Sequence, residues 1–343
     1  MSGTGACALV VLRCHGLASL QDGGRRGYQR YGLSPSGAMD PLAMAMANTL
    51  VGNKADETVI EFGLGGGEFR VEDGDVRLAV AGAMGMVACD GSPVIGARSF
   101  VLAKGRCLTI APPHRGVFGY LAVAGGIGGA SVLGSRALHL RAGIGGIDGR
   151  PLRPGDRLDV PADPGGIDRA MPARPHDGHR AIRIMLGPQD DHVSPEGWAV
   201  FLGEGLTVSH QADRMGYRLD GPPIAHGGKG YNIVSDGTVA GSIQLPGNGH
   251  PIVLMADRQT TGGYPKIATV VSADLRRLAQ RRPGDAVRFA IVDLAQATAA
   301  ARARSREIAA LPGSLRDVAV AEAECLGAAN LAGDAVDALA STP

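Results

Sequence analysis

Runs of four to eight apolar, often β-branched residues, each closed by Gly, Pro or Asp, recur through most of this sequence. They cover residues 76–81, 100–103, 108–111, 117–124, 157–160, 182–186, 252–256 and 287–292. Segments this short and closely spaced do not make the strand–helix–strand units of a parallel array. They predict antiparallel sheets that close into barrels or sandwiches. The 53 glycines among 343 residues supply the tight turns and close backbone approaches such sheets need.

Helix signals are few. Asp40-Pro41 precedes Leu42, Ala43, Met46, Ala47 and Leu50, and Gly52 follows. A capping carboxylate, Pro in the first turn, one apolar face and a Gly stop predict a helix there. Residues 272–280 predict a second, with Leu275 and Leu278 inward and Pro283-Gly284 as the stop, and residues 294–311 an Ala/Arg-rich third. The Ala-rich tail, 314–343, is helical, docked or frayed.

Residues 161–179 are rich in Pro, Gly, Asp and Arg and mark a domain boundary. The division expected is 1–165, 180–292 and a helical extension 293–343. Arg153-Pro154-Gly155-Asp156-Arg157-Leu158 echoes Arg282-Pro283-Gly284-Asp285-Ala286-Val287, a turn feeding a strand near the end of each of the first two parts. That echo leans toward two related domains.

Charge narrows the function. Lys plus Arg is 34 and Asp plus Glu is 33, and no basic run tracks phosphates, so nucleic acid and membrane are not expected partners. Cys7, Cys14, Cys89, Cys107 and Cys325 are odd in number and contain no C-x-x-C, which argues against a disulfide framework or zinc site. No signal peptide and no apolar run of about 18 residues is read, so a cytoplasmic setting is expected. His176-Asp177-Gly178-His179 reads as solvated linker, and no metal site is expected.

No G-x-x-x-x-G-K-[ST] and no G-x-G-x-x-G after a strand is present. The Gly-rich stretches 63–67 and 125–129 read as tight turns. If ATP is used, no standard cradle for it is visible. No lysine sits in a Met-Lys-Met setting, so biotin, if used, belongs to another chain or domain.

Two loops gather the polar groups. In the first, residues 19–27, Gln21, Asp22, Arg25 and Arg26 lie among three glycines. Glycines admit close approach of a ligand and Arg can grip a carboxylate; a surface hairpin with self-paired charges is the plainer reading. In the second, residues 257–269, Asp257, Arg258, Gln259, Thr260, Thr261, Tyr264 and Lys266 are bent by Gly262-Gly263 and held by Pro265 between two apolar strands. Polar loops on a rigid sheet are where binding chemistry gathers. Lys266 could carry a proton or steady an oxyanion; an ordinary hairpin would leave it solvated. Asp40 is read as a helix cap, and Arg115 as a modest candidate for a carboxylate.

Several stretches resemble, in order, the motifs of the biotin-dependent carboxyltransferase-like family, which includes the C-type subunit of 5-oxoprolinase, allophanate hydrolase subunit 2 and the carboxyltransferase domain of urea carboxylase. They are SLQDGGRRGYQRYGLSPSGAMDPLAMAMANTLVGN (19–53), YLAVAGGI (120–127), LGSR (133–136), GPQDD (187–191), VSHQADRMGYRLDG (208–221) and SDGTVAGSIQLPGNGHPIVLMADRQTTGGYPKIATVVSADL (235–275). The resemblance spans about residues 10–292. It implies two cyclophilin-like β-barrel domains, a B-type partner protein and a LamB/YcsF-type subunit. It also implies ATP-dependent opening of 5-oxo-L-proline to L-glutamate by the complex, with no activity expected of this chain alone. Alternatives it leaves are a biotin-dependent urea or guanidine carboxylase component, an allophanate hydrolase-type component, and a non-catalytic module binding a kinase-inhibitor partner. Catalytic expectations are Lys266, Tyr264 and Asp22. Substrate-binding expectations are Gln21, Arg25, Arg115, Arg214, Gln259, Thr260, Gly262 and Gly263. In that picture Arg25 holds a carboxylate, Gln259 the amide, and Lys266 with Tyr264 the developing oxyanion.

Overall fold

The computed structural model describes residues 6–172, 180–203 and 205–319. Among them, nine strands form one sheet and eight form another, each curled nearly closed, with few helices. The mainly β architecture is the one the short apolar runs predict.

The first sheet is built on two long strands, β1 (Ala6–Gln21) and β2 (Val59–Glu72), paired antiparallel. The strand Phe118–Val123 lies on β2 and also pairs with β3 (Val76–Gly82); Arg157–Pro161 lies on the first half of β1. In the second sheet Lys266–Val270 runs between Ile182–Leu186 and Ser242–Gln244, and Ser242–Gln244 continues to Ile252–Leu254. A short ribbon, Asp236–Gly237 against Thr261–Gly262, stands apart from it. The apolar run at 287–292 divides between Ala286–Val287 and Phe289–Ile291, which pair with different strands.

One expectation is corrected here. Residues 63–67 are not a turn; they lie inside β2. A Cβ on Gly65 would sit 1.7 Å from the His15 carbonyl oxygen, and one on Gly66 2.0 Å from that of Ile110. The glycines let β2 press against neighbouring backbone on both sides where β1 shifts register around Gly16. This is the close-approach use of glycine within a bent strand. Gly65→Ala is expected to cost at least about 3 kcal/mol, the upper end of overpacking penalties, read as a lowered urea midpoint. Residues 125–129 do form a turn, with positive φ at Gly125, Gly126 and Gly129.

The Arg-Pro-Gly-Asp echo holds at the level of hydrogen bonds. Asp156 Oδ2 accepts from Arg153 N at 2.7 Å, and Asp285 Oδ2 from Arg282 N at 2.8 Å. Gly155 N donates to Val11 O and Gly284 N to Val208 O, both at 2.8 Å. Each sheet therefore closes the same turn onto an equivalent strand.

The helix α1 (Pro41–Leu50) starts where expected, with the Asp40 carboxylate accepting from Ala43 N at 3.1 Å. It is buried on all sides instead of along one face, because it is wedged between the first sheet, α4 (Leu294–Ala309) and the turn Leu311–Ser314. The core that contains it continues through Ile182, Ile184, Ile243 and Phe289 of the second sheet. A further helix, α2 (Pro195–Leu202), is capped by Ser194 and interrupted by Gly197, which hid it from periodicity. The helix α3 (Leu275–Ala279) is shorter than 272–280. A capping box at Asp293 and Gln296 opens α4. Arg316–Asp317 pairs back onto Arg169–Ala170. The His176/His179 pair and the tail beyond residue 319 lie outside the described residues.

Candidate functional site

Arg214 joins the two sheets. It is 5% exposed and donates from Nε to Asp257 Oδ2 and from Nη2 to Asp257 Oδ1, both at 2.9 Å. Nη1 reaches Glu61 on β2, and Nη2 also reaches Gly37 O at 2.9 Å and Gln21 Oε1 at 3.3 Å. Glu61 further accepts from Met39 N and Tyr120 Oη, each at 2.8 Å, and Tyr120 Oη accepts from Asp40 N. Asp40 in turn accepts from Gln280 Nε2 at 3.0 Å. The result is a buried polar spine, Asp257–Arg214–Glu61–Tyr120–Asp40–Gln280, crossing from one sheet to the other. Burial alone would lower the Arg214 pKa, but Glu61 and Asp257 outweigh it and hold it above the ordinary value. Burial pushes Glu61 up and Arg214 draws it back.

The first polar loop is an inward fastening, not a surface hairpin. Gln21 is fully buried; its Nε2 donates to Ser19 Oγ and Leu138 O, each at 3.1 Å. Asp22 accepts from Gly24 N, Ser135 Oγ and Arg136 N at 2.8, 2.6 and 2.6 Å. Arg25 is 1% exposed and donates to the carbonyls of Val132, Ser135 and Ala137. Its Nη1 is buried with no hydrogen-bond partner among the described residues. These three side chains hold residues 132–138 against the end of β1. Beside them His139 Nδ1 accepts from Ala142 N, so its proton sits on Nε2 and is donated to Ser34 Oγ at 2.9 Å. Burial lowers its pKa and keeps it neutral.

The second loop carries the open chemistry. Lys266 is 4% exposed, and its ammonium donates to Asp236 and, at 3.0 Å, to Gly237 O. Asp236 is exposed, and the Lys266 hydrogen bond lowers its pKa. Lys266 N donates to Gln189 Oε1 at 3.1 Å. Gln259 Nε2 donates to Gln244 Oε1 at 3.1 Å, so this carboxamide is committed to a neighbour. Thr260 O accepts from Thr238 N, Gly262 pairs with Asp236, and Gly263 O accepts from Ile233 N. Tyr264 is 41% exposed at the loop tip.

The two loops meet at their bases. Arg214 links Gln21 to Asp257, and Gln29, just past the first loop, donates to Thr238 O at 2.6 Å and accepts from Arg258 at 3.0 Å. Arg115 is not brought to this junction. It is exposed on a cleft of about 980 Å³ bordered by α1, Arg276 and Gln280, at the far end of the polar spine. Asp236, Gln244 and Gln189 do not stand out individually in the sequence, although the SDG, SIQLPG and GPQDD stretches contain them. Arg25-Arg26-Gly27-Tyr28 and Arg214-Met215-Gly216-Tyr217 share R-x-G-Y, and that repeat is the available sign that both arginines are internal.

Neither glycine stretch offers a phosphate cradle. Residues 63–67 are strand backbone, and in the 125–129 turn Gly126 N and Gly128 N already donate to Val123 O and Asp159 O. Among the described residues no group of His, Cys, Asp or Glu is arranged to hold a metal, and no helix is long and apolar enough to cross a membrane.

The carboxyltransferase domain family, subdomains A and B, matches residues 31–291. The chain is 36% identical to the C-type subunit of 5-oxoprolinase from Escherichia coli (strain K12), over 87% of this chain and 96% of that protein. The crystal structure of TTHA0988 superposes with a TM-score of 0.73 at 35% identity, covering 82% of this chain and 55% of that one, so the chain spans about half of that relative. The crystal structure of the Kluyveromyces lactis urea carboxylase superposes with a TM-score of 0.81 at 26% identity, covering 91% of this chain and 30% of that one.

Proposed function

The chain belongs to the carboxyltransferase domain family, subdomains A and B, and from that premise we propose that it is the C-type subunit of a 5-oxoprolinase. The reaction is the ATP-dependent opening of 5-oxo-L-proline to L-glutamate by a cytoplasmic complex with a B-type partner chain and a LamB/YcsF-type chain. In this reading the complex uses ATP, and neither glycine-rich stretch of this chain cradles its phosphates.

One observation carries the assignment of the site. The Lys266 ammonium is buried beneath an exposed carboxylate, Asp236, on a loop whose neighbours are the flat carboxamides of Gln189, Gln244 and Gln259. Opening a lactam moves negative charge onto the carbonyl oxygen and a proton onto the ring nitrogen. A cation already desolvated and oriented stabilises that charge with little reorganisation. Lys266 supplies it, Asp236 holds the ammonium in place, and the Tyr264 phenol at the rim is the second donor within the loop. Asp22, Gln21 and Arg214 support the site through the backbone they anchor. Arg25 has one remaining donor atom, Nη1, for a ligand group.

Glutamate release from 5-oxo-L-proline and ATP is expected only when the partner chains are present. Release by this chain alone, or none with the full set, rejects the proposal. Likeness to urea carboxylase supports a second reading, transfer of a carboxyl group to a ureide nitrogen with biotin carried by another chain. Urea-dependent consumption of bicarbonate in place of glutamate release would select it.

A further inference from the structure

Gln244 is 2% exposed on the strand Ser242–Gln244, and its two amide atoms are in unequal circumstances. Its Oε1 accepts from Gln259, whereas its Nε2 is buried with no hydrogen-bond partner among the described residues. A buried, unsatisfied donor is uncommon in a folded protein and calls for an explanation in ligand or water.

Its surroundings say which. Gln244 stands opposite Lys266 across a register irregularity that leaves Ile267 unpaired. Such bulges re-aim side chains at sheet edges near sites. A Cβ built on Gly262 would lie 2.3 Å from Gln244 Nε2, so the amide nitrogen projects over the bare face of that glycine. Gly262 pairs with Asp236, the partner of the Lys266 ammonium. The unpaired N–H therefore lies against the bare face of Gly262, on the residue directly across the ladder from Lys266, whose ammonium holds the residue that Gly262 pairs with. Gln259 fixes which end of the Gln244 amide faces it.

We propose that Gln244 Nε2 is the donor to the carbonyl oxygen of a planar amide or ureide ligand, acting beside Lys266, and that Gly262 leaves the room the amide nitrogen occupies. This deepens the function proposed above and rests on it. It also reassigns the amide-recognition role expected of Gln259, which becomes the positioning residue for Gln244.

The test uses Gln244→Leu, which removes the donor, and Gly262→Ala, which leaves Gln244 intact but occupies the space its nitrogen needs. Gly262 has no left-handed φ, and the atoms nearest an added Cβ are side-chain atoms, Gln244 Nε2 at 2.3 Å and Gln259 Nε2 at 3.6 Å, so alanine displaces the amide without straining the backbone. In the reconstituted complex both variants are expected to lose about 100-fold in turnover of 5-oxo-L-proline, in line with loss of one oxyanion donor, while thermal unfolding midpoints stay close to wild type. Wild-type turnover in either variant overturns the inference, as does loss of activity that only follows loss of folded protein. A wild-type complex that ignores 5-oxo-L-proline but carboxylates urea rejects the oxoprolinase reading alone. The same two variants must then lose the urea reaction, and if they retain it, or if wild type handles neither compound, the Gln244 assignment falls.

Discussion

Arg214→Met is expected to destabilise the protein by about 3–5 kcal/mol, the usual result of removing one partner from a buried ion pair. Two carboxylates face this guanidinium, Glu61 from β2 and Asp257 from the turn after Ile252–Leu254, both nearly inaccessible to water. Methionine fills the volume but leaves the charges uncompensated, so one of them must take a proton or drag in solvent. Arg214→Lys should recover little. The guanidinium engages Asp257, Glu61, Gln21 and Gly37 through three nitrogens in a planar fork, which one ammonium cannot reproduce. The effect has a pH signature. Without Arg214 the folded-state pKa of Glu61, already raised by burial, rises further above its unfolded value near 4.3. A carboxyl raised in this way contributes stability below the unfolded value and loses it as pH rises through the folded one. The stability gap between variant and wild type should therefore narrow as pH falls. Urea unfolding of both proteins at several pH values measures it; a gap independent of pH, or below about 1 kcal/mol, contradicts the keystone role.

Lys266→Met should do the reverse, sparing the fold and removing function. The buried ammonium's carboxylate partner, Asp236, is well exposed and stays solvated when the lysine is replaced, so Lys266→Met strands no buried charge. The side chain stands at the start of an interior strand and joins no element of the polar spine. A midpoint of thermal unfolding within a few degrees of wild type is expected. Turnover in the assembled complex should fall by about 10²–10³, the cost of removing a preorganised donor from a developing oxyanion. Undiminished turnover, with assembly confirmed by size-exclusion chromatography, would remove Lys266 from the chemistry. A matching loss in Asp236→Asn would show that the carboxylate positions the ammonium.

Much of the architecture could be read before any coordinates. Short β-branched runs between turns specify antiparallel sheets because strand length and side-chain alternation are local properties. The Asp40 cap and the Asp293 start of α4 are likewise decided within a few residues. Local reading failed where a segment's state depends on what presses against it. Residues 63–67 look like a turn because glycine is permissive, and they become strand because β1 and residue 110 leave room for nothing larger. Pro195–Leu202 escaped notice because Pro and Gly interrupt its pattern while tertiary contacts hold it.

The same division runs through the site. By itself the sequence determined a mainly β protein and the two loops in which polar groups gather, since composition and spacing carry that information. Only the tertiary structure decided which of those groups turn inward as fastenings and which remain open. Gln21 finds Arg214 across 193 residues, and Arg214 finds Glu61 across 153. Separations of that size are closed by sheet packing alone, and a buried polar group takes its role from whichever partner the packing presents.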